Sequence, residues 1–501
     1  MVAHFCYGFD GCGSHRAYNG PTYFGSGIAN GSIIFGGMSM STITFKDKDG
    51  VLYKVPHMAS SGNERPVLLV DGKEDDKMVT KIFEIFSKEH KEAEDKKNPI
   101  VLDLGDGKKL TIHIKLKCSQ MDGKLIKMAQ GRLGAYCLMC TKTREQAKNP
   151  ELIAAGMIVD LSTEEINATW EKFKSKNQDG EYGIDTKNIK VDVRGGQTHQ
   201  PKTVNIQICL ILAPLHARLR SKDWFLDVFA RFSSGHTKYL SREAATRILF
   251  NRYQAEYKAN SEMICGIKLG STSGDTSNTC KKFFQYENRE KILKLLDLHA
   301  PSKPVNPKGT QMEDYEARMD EIERFKSKWR QVLQNISVII RILNSDLLVD
   351  VEAFDKFCTE TALMAVAGEF NWVWFFPTVH QYLAHGAEVI KDNDCRGLKN
   401  QSEEGSEASH KTVKHLRDKA ARKISIPANL SDVFDHCWID TDFTVRSNDR
   451  TGTCSHCKAE GHFTISCPKK KPKETTNNPD DEILARLTLE EDSENTVAEE
   501  D

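Results

Sequence analysis

The chain has 501 residues, 28% charged and 39% hydrophobic, with a formal net charge of −1, a balance that suits a folded chain with several domains. Near-zero charge gives no global argument for nucleic acid, so any such argument must be local. No apolar run approaches the ~18 residues of a membrane helix. The opening MVAHFCYGFDGCGSH has no basic segment before an apolar one, so the expectation is an intracellular chain. In that compartment the 14 cysteines are expected to serve as thiols and metal ligands.

In chain order, His4–Asp10 reads as a short strand that ends in the turn Asp10-Gly11-Cys12-Gly13. Ser32–Phe45, the polar turn KDKDG and Val51–Val55 read as a hairpin, and Pro66–Val70 as a buried strand. Lys77–Glu92 carries Met78, Ile82, Ile85 and Phe86 at the spacing of an amphipathic helix. Leu110–Leu116 alternates as a strand, and Asp122 follows shortly after. These elements are compatible with a mixed sheet that has Asp10 and Asp122 at or just beyond strand ends.

A long, mostly helical region follows Cys137-Leu138-Met139-Cys140. Helices are expected at Glu164–Lys174, within the apolar Ile206–Phe232, and at Glu313–Leu343. In the last of these Met319, Ile322, Phe325, Trp329, Val332, Leu333 and Ile336 form one apolar stripe. Asp179–Thr203 reads as an exposed loop, and Gly270–Thr279 and His299–Thr310 as linkers. Phe354–Phe376 reads as a strongly apolar helix leading into His380–Lys414. That stretch opens with His380 and His385 and continues through Glu403, Glu404 and Glu407 to Lys411, Lys414 and Arg417.

Cys454, Cys457, His462 and Cys467 have the C-x2-C-x4-H-x4-C spacing of a zinc knuckle, with Gly461 at the tight turn. Three thiolates and an imidazole leave a tetrahedral ion no open position, so this unit is expected to be a structural site. Its few apolar residues imply that zinc supplies its folding free energy, and such knuckles contact exposed nucleic acid. From Lys469 the tail runs from basic to acidic with few aromatics, and disorder is expected.

The other candidates are weaker alone. Cys137 and Cys140 could be a redox pair, half a zinc site or two buried thiols. His380 and His385 diverge by ~140° on an ideal helix, so they face one metal only if the helix starts late or bends, and Pro377 makes a start there reasonable. Among 71 acidic residues, composition cannot select a catalytic set.

A resemblance selects one. Phe9–Gly13, Met121–Leu125 with Tyr136–Cys140, Pro214–Ala217, His380–His385 with Glu388-Val389-Ile390, and Glu404–Lys411 resemble, in order, motifs of the RAG-type recombinase catalytic subunit and its ProtoRAG and Transib transposase relatives. The likeness runs from about residue 5 to about 445. It implies an α+β/α/β chain, with an RNase H-like mixed sheet interrupted by a large zinc-binding helical insertion and followed by the CCHC knuckle. The implied divisions are 1–132 for the catalytic core, 133–400 for the insertion, and 401–445 for the final catalytic helix and the helices after it. The knuckle takes 450–468 and the disordered tail 469–501.

The resemblance further implies DDE-type nicking and strand transfer at transposon ends or recombination signals. Asp10, Asp122 and Glu407 would be the catalytic acids, holding two Mg2+ or Mn2+ ions. Cys137, Cys140, His380 and His385 would hold one structural Zn2+ and the knuckle a second. That first site would tie the start of the insertion to its end and hold Glu407 against the sheet. Double-stranded DNA, a homodimer and a regulatory partner subunit are implied, in the nucleus and away from membranes, with Lys411 and Lys414 meeting DNA. The family's dimerisation and site-recognition domain precedes the first aspartate, where this sequence has nine residues. The expectation is therefore a fragment, or a chain that has lost DNA recognition. The alternative is a domesticated DNA-binding protein that keeps the zinc scaffold without catalysis.

Overall fold

The computed structural model describes residues 2–12, 33–46, 52–56, 64–71, 76–95, 99–103, 109–119, 137, 139–140, 142–156, 212–235, 244–269, 277–402, 404–422, 424–441 and 478–489. Among the described residues are six strands: β1 (Val2–Cys12), β2 (Ile33–Lys46), β3 (Leu52–Pro56), β4 (Glu64–Asp71), β5 (Ile100–Asp103) and β6 (Lys109–Ser119). The helices used below are α1 (Asp76–Glu94), α2 (Pro214–Ser233), α3 (Ala244–Cys265), α4 (Gln311–Leu343), α5 (Val351–Val366), α6 (Pro377–Asp392), α7 (Glu404–Lys419), α8 (Ile426–Asp440) and α9 (Pro479–Leu487). The chain divides into two compact units. Of the described elements, the six strands with α1, α7 and α8 form one, and α2 to α6 with α9 form the other.

In the first unit the strand order is β3-β2-β1-β6-β5, and β4 also pairs with β2. β1 and β2 are antiparallel along their whole shared length, from Val2 opposite Thr44 to Cys12 opposite Ile33. β3 pairs with Thr42–Lys46 of β2 and β4 with Ile33–Ser39, both antiparallel. The two therefore pair with successive parts of β2. β6 returns parallel to β1, with Val2 opposite His113 and Tyr7 opposite Ser119. Parallel neighbours need a crossover, and α1 lies in the connection and packs on β6.

The hairpin, the β4 strand, α1 and β6 fall where the sequence patterns place them. β5 lacks a comparable alternating pattern; it pairs with β6 through Ile100 opposite Ile112. No turn lies at Asp10, because β1 continues to Cys12 and Asp10 pairs with Phe35. α7 and α8 close over β4: Val413, Leu416, Ala421, Val433 and Cys437 form a buried cluster, with Leu69 and Leu430 packed against it.

The second unit is built on an aromatic core. Trp224 of α2 lies edge-on to Trp329 of α4, with ring centroids 5.4 Å apart, and Phe225, Phe325 and Phe375 complete the cluster. The expected stripe of α4 holds. Ile322, Phe325, Trp329, Val332, Leu333 and Ile336 are buried, and Met319 is half-buried at the solvent end.

Three expectations need correction here. The single helix expected over Phe354–Phe376 is two elements, because α5 ends at Val366. Gly368 then takes a left-handed φ of 66°, and Pro377 opens α6. Lys328 donates to the Ala367 carbonyl, which satisfies backbone beside that break. The linker expected up to Thr279 is already helical from Ser277. The tail expected to be disordered from Lys469 carries α9, whose cap and buried contacts are described below. Glu164–Lys174 and Asp179–Thr203 lie outside the described residues.

Candidate metal centre

The helical unit brings Cys137, Cys140, His380 and His385 together. One ligand atom from each lies within 4.8 Å of every other, and all four residues are buried. A tetrahedral zinc with ordinary Zn–S and Zn–N bonds sets its ligand atoms ~3.3–3.8 Å apart. Cys140 Sγ and His380 Nε2 already stand at 3.2 Å. The imidazole rings lie 5.4 Å apart between centroids and nearly perpendicular, at 89°.

Local sequence explains each half. In Cys-Leu-Met-Cys the Met139 amide donates to Cys137 Sγ at 3.3 Å, and the Cys137 amide donates to the Lys142 carbonyl at 3.2 Å. The backbone thus curls around the first sulfur. Thr143 and Asn149 then cap the short helices Arg144–Ala147 and Pro150–Ala154, and the latter packs on α5.

The histidines sit on α6, which starts at Pro377 as the sequence suggests, so His380 falls in its first turns and donates its amide to the Phe376 carbonyl. α6 packs on α5 and α2, and the Tyr382 and Ser221 hydroxyls pair at 2.8 Å across α6 and α2. Because α5 is packed by both the segment after the cysteines and the histidine helix, it assembles a site whose halves are 240 residues apart.

The electrostatics favour a cation. Burial pushes the Cys137 thiol up. Against it, hydrogen bonding with Cys140 and the positive field and hydrogen bond of His380 bring it well below the ordinary thiol value. The thiolate is the form that binds metal. Both ring nitrogens of His385 are buried with no hydrogen-bond partner among the described residues. Such groups cost ~1–3 kcal/mol each when left unmade, and a metal bond would satisfy one of them. A cleft lined in part by Ala147, Asp355, Phe375 and His380 lies beside the cluster. Two thiolates and two imidazoles suit zinc, with all four positions filled by protein.

Beyond the cluster, residues 394–398 run close against the end of α4. Asp394 and Cys395 adopt left-handed φ of 57° and 58°, and the Leu398 amide donates to the Leu343 carbonyl at 2.9 Å. A Cβ at Gly397 would stand 2.3 Å from the Ile342 carbonyl oxygen, so only glycine fits. The pairing of Ser221 with Tyr382 and the need for Gly397 escape a sequence reading, because both depend on long-range packing.

The other expected sites are placed unevenly. Asp10 lies in β1, two residues from its end. Glu407 lies in the first turn of α7, which packs on β1 and β4. Lys411 and Lys414 are on the same helix, and Lys414 is exposed. Asp122, Glu403 and the knuckle ligands Cys454, Cys457, His462 and Cys467 lie outside the described residues.

Neither protein-family models nor curated proteins match this chain. What the cluster binds must be read from its own atoms.

Proposed function

We propose that the chain is the catalytic subunit of a RAG-type DNA recombinase or transposase, with a structural zinc in its helical unit and a carboxylate triad in its sheet unit. The observation that carries this reading is the meeting of Cys137 and Cys140 with His380 and His385. The resemblance required that union, and nothing in the spacing of either pair did.

The sheet adds support. An antiparallel run of strands, a helical crossover and a return strand parallel to the first is the arrangement expected of an RNase H-like core. The β1–β6 register sets Tyr7 opposite Ser119, and Asp10 lies three residues beyond that rung in β1. α7, which carries Glu407, packs on β1, which carries Asp10. On this reading the three carboxylates hold two Mg2+ or Mn2+ ions, which when bound would activate water or a 3′-hydroxyl and offset charge on the phosphorus. Among the described residues, the protein's own work is to set Asp10 and Glu407 on two elements that pack together. Exposed Lys414, on the helix of Glu407, would meet the DNA backbone.

The test is plasmid nicking with Mg2+ on supercoiled DNA bearing candidate element ends. Open circles are expected from the parent and none from Asp10→Asn or Asp122→Asn, with DNA retention on a filter unchanged. Equal nicking by parent and variants would overturn the reading. DNA retention without nicking by the parent would favour a DNA-binding protein.

A further inference from the structure

We propose that residues 478–489 are a docking helix, a short acid-led segment held by a receptor surface that the helical unit builds for it. This inference stands apart from the nuclease reading.

The segment encodes its own shape. Asn478 caps α9, accepting from the Asp480 amide at 3.1 Å, and Pro479 occupies the first turn. Asp480, Asp481 and Glu482 fill that turn and Arg486 the last, matching the helix dipole at both ends. Nine residues are nonetheless too few for a stable helix in water, so packing must hold it.

The receptor supplies three kinds of contact. Arg289 donates to the Asp480 carboxylate, and both side chains are nearly fully buried, at 4% and 6% exposure. Gln334 of α4 adds a hydrogen bond to the same carboxylate at 3.3 Å, and Arg341 pairs with Asp481 at the rim. Next, Leu487 buries its side chain. Finally, backbone pairing fixes the register: the Asp350 amide donates to the Leu487 carbonyl at 3.0 Å and the Leu489 amide to the Leu348 carbonyl at 2.9 Å, around an antiparallel bridge of Val349 with Thr488.

A carboxylate is buried only where it is paired, and a guanidinium aimed at it with a second donor alongside is how proteins select an acid. Strand addition plus a charged pocket is also how folded domains recognise short segments. The occupant is this chain's own segment.

Hydrogen exchange on the full chain tests this. The amides of 483–489 should be protected in the parent and lose protection at least about tenfold in Asp480→Lys, as expected when one partner of a buried charge pair is removed. Protection of Pro377–Asp392 should stay unchanged. The double change Arg289→Asp with Asp480→Arg should restore protection. A synthetic peptide of residues 476–491 should bind full-length Asp480→Lys, and the same peptide carrying Asp480→Asn should bind at least about tenfold more weakly. Unchanged exchange in Asp480→Lys together with no peptide binding would overturn the proposal. Protection that falls as the chain is diluted would assign the segment to a second copy and overturn docking within one chain.

Discussion

His385 is buried with two ring nitrogens that no described group satisfies, which makes it the sharpest residue at which to test the metal reading. His385→Ala, or Cys137→Ser, should release about one zinc per chain by elemental analysis and lower the melting temperature, because a closed site contributes folding free energy directly. Equal zinc in parent and variant would count against the site. Gly397→Ala makes a second prediction with a different cause. The added methyl would collide with two backbone carbonyls that cannot swing aside, at a cost of about 1–3 kcal/mol in denaturant unfolding and with no change in bound zinc. The spacing of His380 and His385 alone does not pair them with the cysteines; α5 brings those distant thiols to His385, and Gly397 matters only because the chain passes so close to the end of α4.

The corner between α7 and α8 shows how elements are locked together. The Arg422 guanidinium and amide both reach the Asp432 carboxylate, at 2.6 to 3.0 Å, and Asn429 returns a hydrogen bond to the Arg422 carbonyl. The Arg422 side-chain and backbone hydrogen bonds lower the Asp432 carboxyl to about 2. A lowered carboxylate stabilises the fold above its ordinary value of about 4 and loses that contribution as pH falls toward 2. The stability gap between parent and Asp432→Asn should therefore be constant above about pH 4 and close below it; a gap that persists at pH 2 would refute the pairing. On α7 itself, Glu407→Gln should abolish nicking while Glu403→Gln costs little. Position 403 is four residues earlier in the sequence, so the reverse result would move the catalytic assignment. α4 is legible in the sequence because its apolar stripe from Ile322 to Ile336 is buried as spaced; α1 is legible in extent, but it buries Val79, Ile82 and Phe83 and leaves Ile85 exposed. The end of α5 is not, since its apolar residues continue through the break at Gly368 and only backbone conformation marks the stop.

Across the whole molecule, the sheet unit follows from strands whose patterns are short and local, while the helical unit depends on contacts between residues hundreds of positions apart. That difference explains why the mixed sheet could be anticipated and why the metal centre needed a family likeness to pair its halves. It also explains the missed α9, whose composition resembles the surrounding tail and whose order comes from Arg289 and the backbone of 348–350. The knuckle stretch predicts a modular effect: Cys457→Ser should weaken DNA binding while the melting transition of the main body stays in place. The distance between the two halves of the metal centre carries a further consequence, during synthesis. Ribosomes add about 5–20 residues per second, so Cys140 precedes His380 by on the order of 10–50 s. For that interval two adjacent thiols ride on the nascent chain without the imidazoles that later enclose them. Cells that synthesise this protein under oxidising stress should accumulate a fraction with Cys137 and Cys140 joined to each other, unable to take up zinc however much is supplied afterwards.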